Sequence, residues 1–126
     1  MIFIDTNYFL RFLLRDDNNQ HLKAKKVFEE AAIGEKKLFT SLIVFFEIYW
    51  VLSSFYKKNK KELIDILNDV LSMSFIRFEN IDILTTALKF YQEYNLDLED
   101  SYNIVYSKQL NAKEFKTFDQ KIKSFF

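Results

Sequence analysis

The first ten residues, "MIFIDTNYFL" (1–10), join an apolar run to an abrupt polar stop. Residues 1–4 are continuously apolar, a pattern that predicts a short buried strand rather than an alternating surface strand. Asp5 follows directly, and two small polar residues, Thr6 and Asn7, come next. The carboxyl ends of parallel strands are where α/β proteins bind their ligands. The stretch therefore predicts a carboxylate at the end of a strand, where it could contact a bound ligand.

The composition of the 126 residues indicates a single folded domain over residues 1–126. Hydrophobic residues make up 49% of the chain, enough for a sizeable core. Cysteine is absent and His21 is the one histidine, which argues against disulfides, thiolate chemistry and zinc sites built on several imidazoles. The formal net charge is +0, so nucleic-acid binding would depend on local basic patches. Since no apolar run reaches membrane-spanning length and no basic leader precedes one, we expect a cytoplasmic location and no membrane partner.

Short apolar runs alternate with segments of helical periodicity along the chain. Besides residues 1–4, strands are predicted at 38–40, in "SFIRF" (74–78) and in "EFKTFD" (114–119). Helices are predicted over 8–14, from Ala24 to a C-cap at Gly34, over "LIVFFEIYWVL" (42–52), over 63–71, over 83–91, and from an N-cap at Asp97 onward. This order predicts an α/β fold with a short, mainly parallel central sheet flanked by helices, an α/β/α arrangement.

Acidic residues fall at informative places in this scheme. Asp5 and Asp119 each end a predicted strand, so both would lie at the same edge of a parallel sheet. Glu47 is the only charge in a helix that is apolar on nearly every side and is therefore expected to be buried. Burying an unpaired carboxylate is costly, which favours a functional role for Glu47 over a polar surface stripe. Asp97 and Asp100 lie at the start of a later helix.

Each of these acids also has a structural explanation. Asp97 and Asp100 suit a helix N-terminus, whose free N–H groups favour negative charge, and Asp5 or Asp119 could be a turn residue. Their combination favours a shared site, because clustered carboxylates raise one another's pKa and a divalent cation relieves the repulsion. Ligation by oxygen alone is typical of Mg²⁺ or Mn²⁺, ions that activate water and stabilise charge on a phosphoryl group.

These residues lie in motifs that resemble PIN-domain ribonucleases, and most of all the VapC-type toxins of bacterial toxin–antitoxin pairs. The resemblance covers essentially the whole chain and rests on "IFIDTNYFL" (2–10), "TSLIVFFEIYWVL" (40–52) and "LDLEDSYNIVYSKQLNAKEFKTFD" (96–119), in that order. It implies a PIN-like fold and a Mg²⁺- or Mn²⁺-dependent endoribonuclease that acts on structured RNA and cleaves it with a metal-activated water.

The resemblance also implies roles for individual residues. The matching catalytic and metal-binding acids are Asp5, Glu47, Asp100 and Asp119, with Asp97 as an auxiliary metal ligand. Thr6 and Thr117 match hydroxyl positions that orient the carboxylates. The implied protein partner is a small antitoxin whose C-terminal segment covers the acidic site.

Binding of RNA to an acidic site requires local cations. Arg11 and Arg15 are predicted on one face of the short helix after "DTN" and are the expected RNA-binding residues. The lysine-rich run 57–61 is more typical of a solvated helix end. Exposed apolar area on the helices favours a homodimer.

Two other interpretations stay open at this point. Asp5 after an apolar strand also fits a phosphatase-like α/β hydrolase, although Asn7 stands where haloacid-dehalogenase-like phosphatases carry a second aspartate. A non-catalytic helical interaction module would use the acids only as caps and turns. Such a module predicts no response to a divalent cation.

Overall fold

The computed structural model describes residues 1–126, which form an α/β fold with a three-stranded parallel sheet flanked by helices, as predicted. The strands are β1 (Ile2–Phe3), β2 (Leu38–Thr40) and β3 (Ile76–Phe78). The helices are α1 (Thr6–Leu14), α2 (Asn18–Ala32), α3 (Leu42–Trp50), α4 (Lys60–Leu71), α5 (Ile81–Glu93), α6 (Leu98–Gln109) and α7 (Gln120–Lys123), and a π-helical segment, Val51–Phe55, continues α3. None of these helices is both long and apolar enough to span a membrane.

The chain divides into two compact units, an N-terminal unit, Met1–Glu79, and a C-terminal unit, Asn80–Phe126. All three strands belong to the N-terminal unit, and the C-terminal unit is helical. The prediction of a single domain over residues 1–126 stays a prediction.

The strands of the N-terminal unit pair in parallel in the order β1-β2-β3. The central strand β2 is well covered, whereas Ile2 and Phe3 of β1 are 43% and 47% exposed. The prediction that β1 is a buried strand is therefore wrong for these two residues. β1 lies at one edge of the sheet with its two side chains partly uncovered, whereas β3 lies at the other edge with Ile76 and Phe78 covered. Ile4, which follows β1, is buried and carries the chain into the core.

Aromatic side chains fill the core of the N-terminal unit. Phe9 of α1 is fully buried, and its ring lies 5.7 Å from that of Phe28 in α2 and 5.8 Å from that of Phe78 in β3. Burying a side chain of this size stabilises a fold by about 1.5–3 kcal/mol. These contacts fix α1 on the sheet and thereby fix the residues at its start.

Helix α3 is less deeply buried than its sequence predicts. Ile43 is 65% exposed and Trp50 45% exposed, and Glu47 between them is half-buried. Residues spaced four and three apart lie on one face of a helix, so these three form a stripe that faces solvent. The prediction that the helix is buried on every side is wrong, because apolar residues also occupy its outer face.

The C-terminal unit is built on α5 and α6, which pack against each other. Leu88 in α5 and Ile104 in α6 are buried, and Asn80 Nδ2 donates a hydrogen bond to Tyr102 Oη at 3.1 Å. The strand predicted over 114–119 is absent, and Asp119 instead begins α7. A strand needs a partner for its backbone N–H and C=O groups, and this helical unit offers none.

Candidate active site

Two of the predicted acids meet at Thr6 in the N-terminal unit. Asp5 is exposed and caps α1, where its Oδ1 accepts a hydrogen bond from the Thr6 N–H at 2.8 Å. The Thr6 side chain is buried, and its Oγ1 donates to Glu47 Oε2 at 3.1 Å. One residue therefore holds both carboxylates, through its backbone and through its hydroxyl. Asp5 and Glu47 are 42 positions apart, and the packing of α1 and α3 brings them to the same threonine.

A second group of acids lies in the C-terminal unit. Asp97 caps α6 as predicted, and its Oδ1 accepts from the Asp100 N–H at 2.8 Å. Partial burial raises the pKa of Asp100 above its ordinary value, and the negative charges of Asp97, Asp119 and Glu99 raise it further. The charged form of Asp100 is thus disfavoured by its surroundings. A bound cation would remove this penalty, because an opposite charge favours the carboxylate.

Asp119 is exposed and caps the short helix α7. Its Oδ1 accepts from the N–H groups of Lys121 and Ile122, at 2.9 and 3.2 Å. Its own N–H donates to Thr117 Oγ1 at 3.1 Å. Thr117 thus contacts the backbone of Asp119, whereas Thr6 contacts the side chain of Glu47.

The predicted ligands favour a hard cation because of their chemistry. Their positions in the structure do not form a complete coordination site. Every predicted ligand is a carboxylate, the group that Mg²⁺ and Mn²⁺ bind in proteins. No group of three or more His, Asp or Glu side chains in the structure is arranged so that it could hold a metal ion. The assignment of Asp5, Glu47, Asp97, Asp100 and Asp119 as metal ligands stays a prediction.

Two further acids were not singled out from the sequence. Glu79 directly follows β3, and its Oε1 accepts from the Leu42 N–H at the start of α3, at 2.9 Å. The sequence signal was available, since "FIRFE" is a third apolar strand that ends on an acid. Glu99 neighbours Asp100, and its Oε1 is buried without a hydrogen-bond partner. Nothing local in "LEDS" distinguishes Glu99 from an ordinary acid in a first helical turn, so its burial became visible only in the fold.

The predicted RNA-binding arginines differ in their surroundings. Arg11 Nη1 donates to Asp16 Oδ1 at 2.6 Å, and Tyr56 Oη donates to Asp16 Oδ2 at 3.1 Å. The hydrogen bond between Arg11 and Asp16 raises the pKa of Arg11 and lowers that of Asp16. Arg15 is not on α1 as predicted; it is the C-cap, in a left-handed conformation with φ 54°. The two arginines therefore do not form one helical face.

Arg11 also lines a small cleft beside the start of α1. The cleft has a volume of about 290 Å³ and is further lined by Asn7, Tyr8, Gln20, Lys23 and Ala24. Two cations, an amide pair and a half-exposed tyrosine ring are groups that can bind a phosphate and its attached nucleoside.

Comparison with known proteins found a match to a sequence family. The sequence model of the family described as "PIN domain" matches residues 2–125. A search of curated proteins found no match to the chain. The family match spans both units and includes all the acids described above.

Proposed function

The chain belongs to the PIN-domain family, whose members are generally nucleases, and on that basis we propose that it is a divalent-metal-dependent endoribonuclease. We further propose that it is the toxin of a type II toxin–antitoxin pair. The observation that carries the nuclease proposal is the hydrogen-bonded set Asp5, Thr6 and Glu47. A helix cap requires Asp5 alone, and the hydrogen bond from the buried Thr6 hydroxyl places a second carboxylate, that of Glu47, at the same threonine.

The residues that would hold the cation are Asp5, Glu47, Asp100 and Asp119, with Asp97 as the auxiliary ligand. When bound, Mg²⁺ or Mn²⁺ supplies a stronger nucleophile from water and neutralises charge that develops on the phosphoryl group.

The chain's own residues have separate tasks in this proposal. Thr6 fixes the carboxylate of Glu47 by donating to Oε2, and Asp5 is fixed by the Thr6 N–H. The raised pKa of Asp100 reflects burial and the repulsion from neighbouring acids, a penalty that a bound cation would relieve. Thr117 fixes the turn that presents Asp119. Arg11 contacts a phosphate of the RNA backbone, and Arg15 contributes charge nearby.

Partners and location follow from the same proposal. We propose a cognate antitoxin and a cytoplasmic location by analogy with the toxins that the motifs resemble. We propose a homodimer because α3 and the π-helical segment carry large exposed side chains, those of Ile43, Trp50 and Phe55. Large apolar side chains that are exposed to solvent on neighbouring turns are candidates for a protein–protein interface.

Incubation of the purified chain with total RNA, with Mn²⁺ or with a chelator, tests the activity. We expect Mn²⁺-dependent cleavage with 5′-phosphate ends, which sequencing of the 5′ ends would map. Asp5→Asn should reduce the cleavage rate by at least about 100-fold, because removing a group that only orients a metal ligand already costs about 10–100-fold. Equal cleavage by Asp5→Asn, or cleavage that persists in chelator, would refute the proposal.

A non-catalytic interaction module is the second candidate, and one observation favours it. Asp5, Asp97 and Asp119 all cap helices, which is a sufficient structural reason for their presence. Thermal melting during a Mn²⁺ titration separates the two candidates. A metal site gains about 2.7 kcal/mol of stability at a hundred times the dissociation constant, whereas caps alone gain nothing.

A further inference from the structure

The segment after α6 forms a cleft in the C-terminal unit that no part of the proposed active site explains. Its volume is about 680 Å³, within the range of roughly 300–1,000 Å³ that is typical of ligand-binding clefts. Its lining is rich in lysine and phenylalanine: Lys113, Lys116 and Lys123, with Phe115, Phe118 and Phe126. Basic and aromatic side chains together are typical of surfaces that bind single-stranded nucleic acid.

Neighbouring residues hold the rings of Phe115 and Phe126, which line one side of the cleft. The rings of Phe115 and Phe126 lie 5.3 Å apart. Lys108 Nζ lies 5.0 Å from the centroid of the Phe126 ring and donates to the Phe125 carbonyl at 2.7 Å. The ring of Phe125 packs in turn on Phe90 at 5.1 Å. Phe115 and Phe126 are therefore held in place by these contacts.

Phe118 differs from the other two phenylalanines because it projects into solvent. Its side chain is 102% exposed, the highest value among the large apolar residues of the chain. The hydrogen bond from the Asp119 N–H to Thr117 Oγ1 fixes the turn that carries it. Covering an exposed aromatic ring with another flat apolar surface lowers the free energy.

The charges of the lining favour an anionic occupant. Glu114 forms an ion pair with Lys116 at 3.2 Å, whereas Lys113 and Lys123 form no ion pair. In a chain whose formal net charge is +0, this cleft is a local excess of positive charge. Phosphates provide the complementary charge, and nucleobases provide the flat surface for Phe118.

We propose that this cleft binds single-stranded RNA, with one base stacked on Phe118 and neighbouring phosphates on Lys113 and Lys123. An unpaired base is required, because bases in a duplex cover one another's faces. The inference rests on the proposed function in that RNA is the proposed substrate, and it adds a surface on which one strand of that RNA is held. Phe118 precedes Asp119 directly, so a stacked base lies beside one of the proposed metal ligands.

Fluorescence anisotropy of a labelled single-stranded RNA of about eight nucleotides, measured with the full chain in chelator, tests the cleft without cleavage. Phe118→Ala should weaken binding about tenfold, and Phe118→Trp should retain it, because base–aromatic stacking depends on the ring. Ile33→Ala is the matched control, since Ile33 is also a large exposed apolar residue but lies in the N-terminal unit. Ile33→Ala should bind as the unmodified chain does.

The salt dependence tests the lysines. Lys113→Ala with Lys123→Ala should lower the slope of log K against log salt by about 1.4, because each phosphate contact with a single strand contributes about 0.7. Lys61→Ala with Lys89→Ala removes the same charge outside the cleft and should leave the slope unchanged.

Three results would overturn the inference. The first is unchanged binding by Phe118→Ala, and the second is equal binding of duplex RNA with no dependence on Phe118. The third is displacement of the RNA by polyglutamate with the same dependence on Phe118, which would indicate an acidic protein partner instead. The inference is separable from the proposed function. If RNA binding depends on Phe118 but the chain does not cleave RNA, only the nuclease proposal is refuted. If the chain cleaves RNA and Phe118→Ala changes nothing, only the proposed binding cleft is refuted.

Discussion

Individual residues of the candidate site serve the fold and the proposed chemistry at the same time. Asp5, Asp97 and Asp119 each satisfy backbone N–H groups at the start of a helix, an interaction worth about 1 kcal/mol. In each of these hydrogen bonds the acceptor is Oδ1, so Oδ2 is not used for capping. Capping therefore orients these carboxylates and does not compete with a catalytic role.

Asp100→Asn should stabilise the chain at neutral pH in chelator. The pKa of Asp100 is raised in the folded state, so its protonated form stabilises the fold below the unfolded pKa. This stabilising contribution is lost as the pH rises through the folded pKa of Asp100. Asparagine has no carboxyl group to ionise, so the variant keeps its stability over the same pH range. Thermal melting should show a higher Tm for the variant at pH 7 and nearly equal values well below the unfolded pKa of 3.8.

Asp65→Asn provides the control for Asp100→Asn, because Asp65 is an exposed aspartate of α4. It should leave the Tm nearly unchanged at both pH values. A lower Tm for Asp100→Asn at pH 7 would contradict the assignment of Asp100 to a repulsive site. The same variant should lose Mn²⁺-dependent cleavage.

At the scale of elements, the contact between α1 and α3 organises the N-terminal acids. Helix α1 begins at Thr6 because Asp5 caps it, and α3 begins after Ser41, whose Oγ accepts from the Val44 N–H at 3.2 Å. The hydrogen bond from Thr6 to Glu47 joins the two helices. The start of each helix is thus determined by its own capping residue, and one side-chain hydrogen bond then holds the two helices together.

Thr6→Val should lower the cleavage rate about 10–100-fold, the usual effect of removing a group that orients a metal ligand. Valine keeps the shape of threonine but cannot donate to Glu47 Oε2. The stability lost should be small, about 1 kcal/mol, as for one hydrogen bond. Single-turnover cleavage and thermal melting measure the two effects, and Thr6→Ser, which keeps the hydroxyl, should restore most of the rate. Full activity of Thr6→Val would show that Thr6 only packs α1.

At the scale of the whole molecule, charge limits how RNA can be attracted. The 18 basic and 18 acidic residues cancel, so long-range steering towards an RNA polyanion is weak. Attraction has to come from local sets of cations, of which the cleft at Arg11 and Lys23 is one and the lysines of the C-terminal cleft are another. Affinity should therefore depend on a few cations rather than on the whole surface.

Arg11→Ala should weaken RNA binding and lower the slope of log K against log salt by about 0.7, the value for one phosphate contact. The removal also frees Asp16, whose carboxylate loses its hydrogen bond to Arg11 and would repel RNA. Anisotropy measured over a range of salt concentrations gives the slope. Arg77→Ala is the control, because Arg77 is an exposed arginine of β3 outside this cleft. An unchanged slope for Arg11→Ala would exclude a phosphate contact by Arg11.

The sequence by itself determined the features that depend on neighbouring residues. The helix start at residue 42 and the N-cap at Asp97 were predicted and are confirmed, because a side chain that caps a helix bonds an N–H group three positions on. Four strands in a mainly parallel sheet were also predicted, and three of them form and pair in parallel, as expected for short apolar runs separated by helices.

Only the tertiary structure decided the features that depend on distant residues. Glu47 was expected to be buried, and the fold places it on a half-exposed stripe with Thr6 as its partner. Residues 114–119 have a strand-like sequence, but a strand forms only where another strand pairs with it. The raised pKa of Asp100 depends on burial and on Asp119, which is 19 positions away. Local sequence fixes backbone preference, whereas burial, pairing and charge depend on which residues the folded chain brings together.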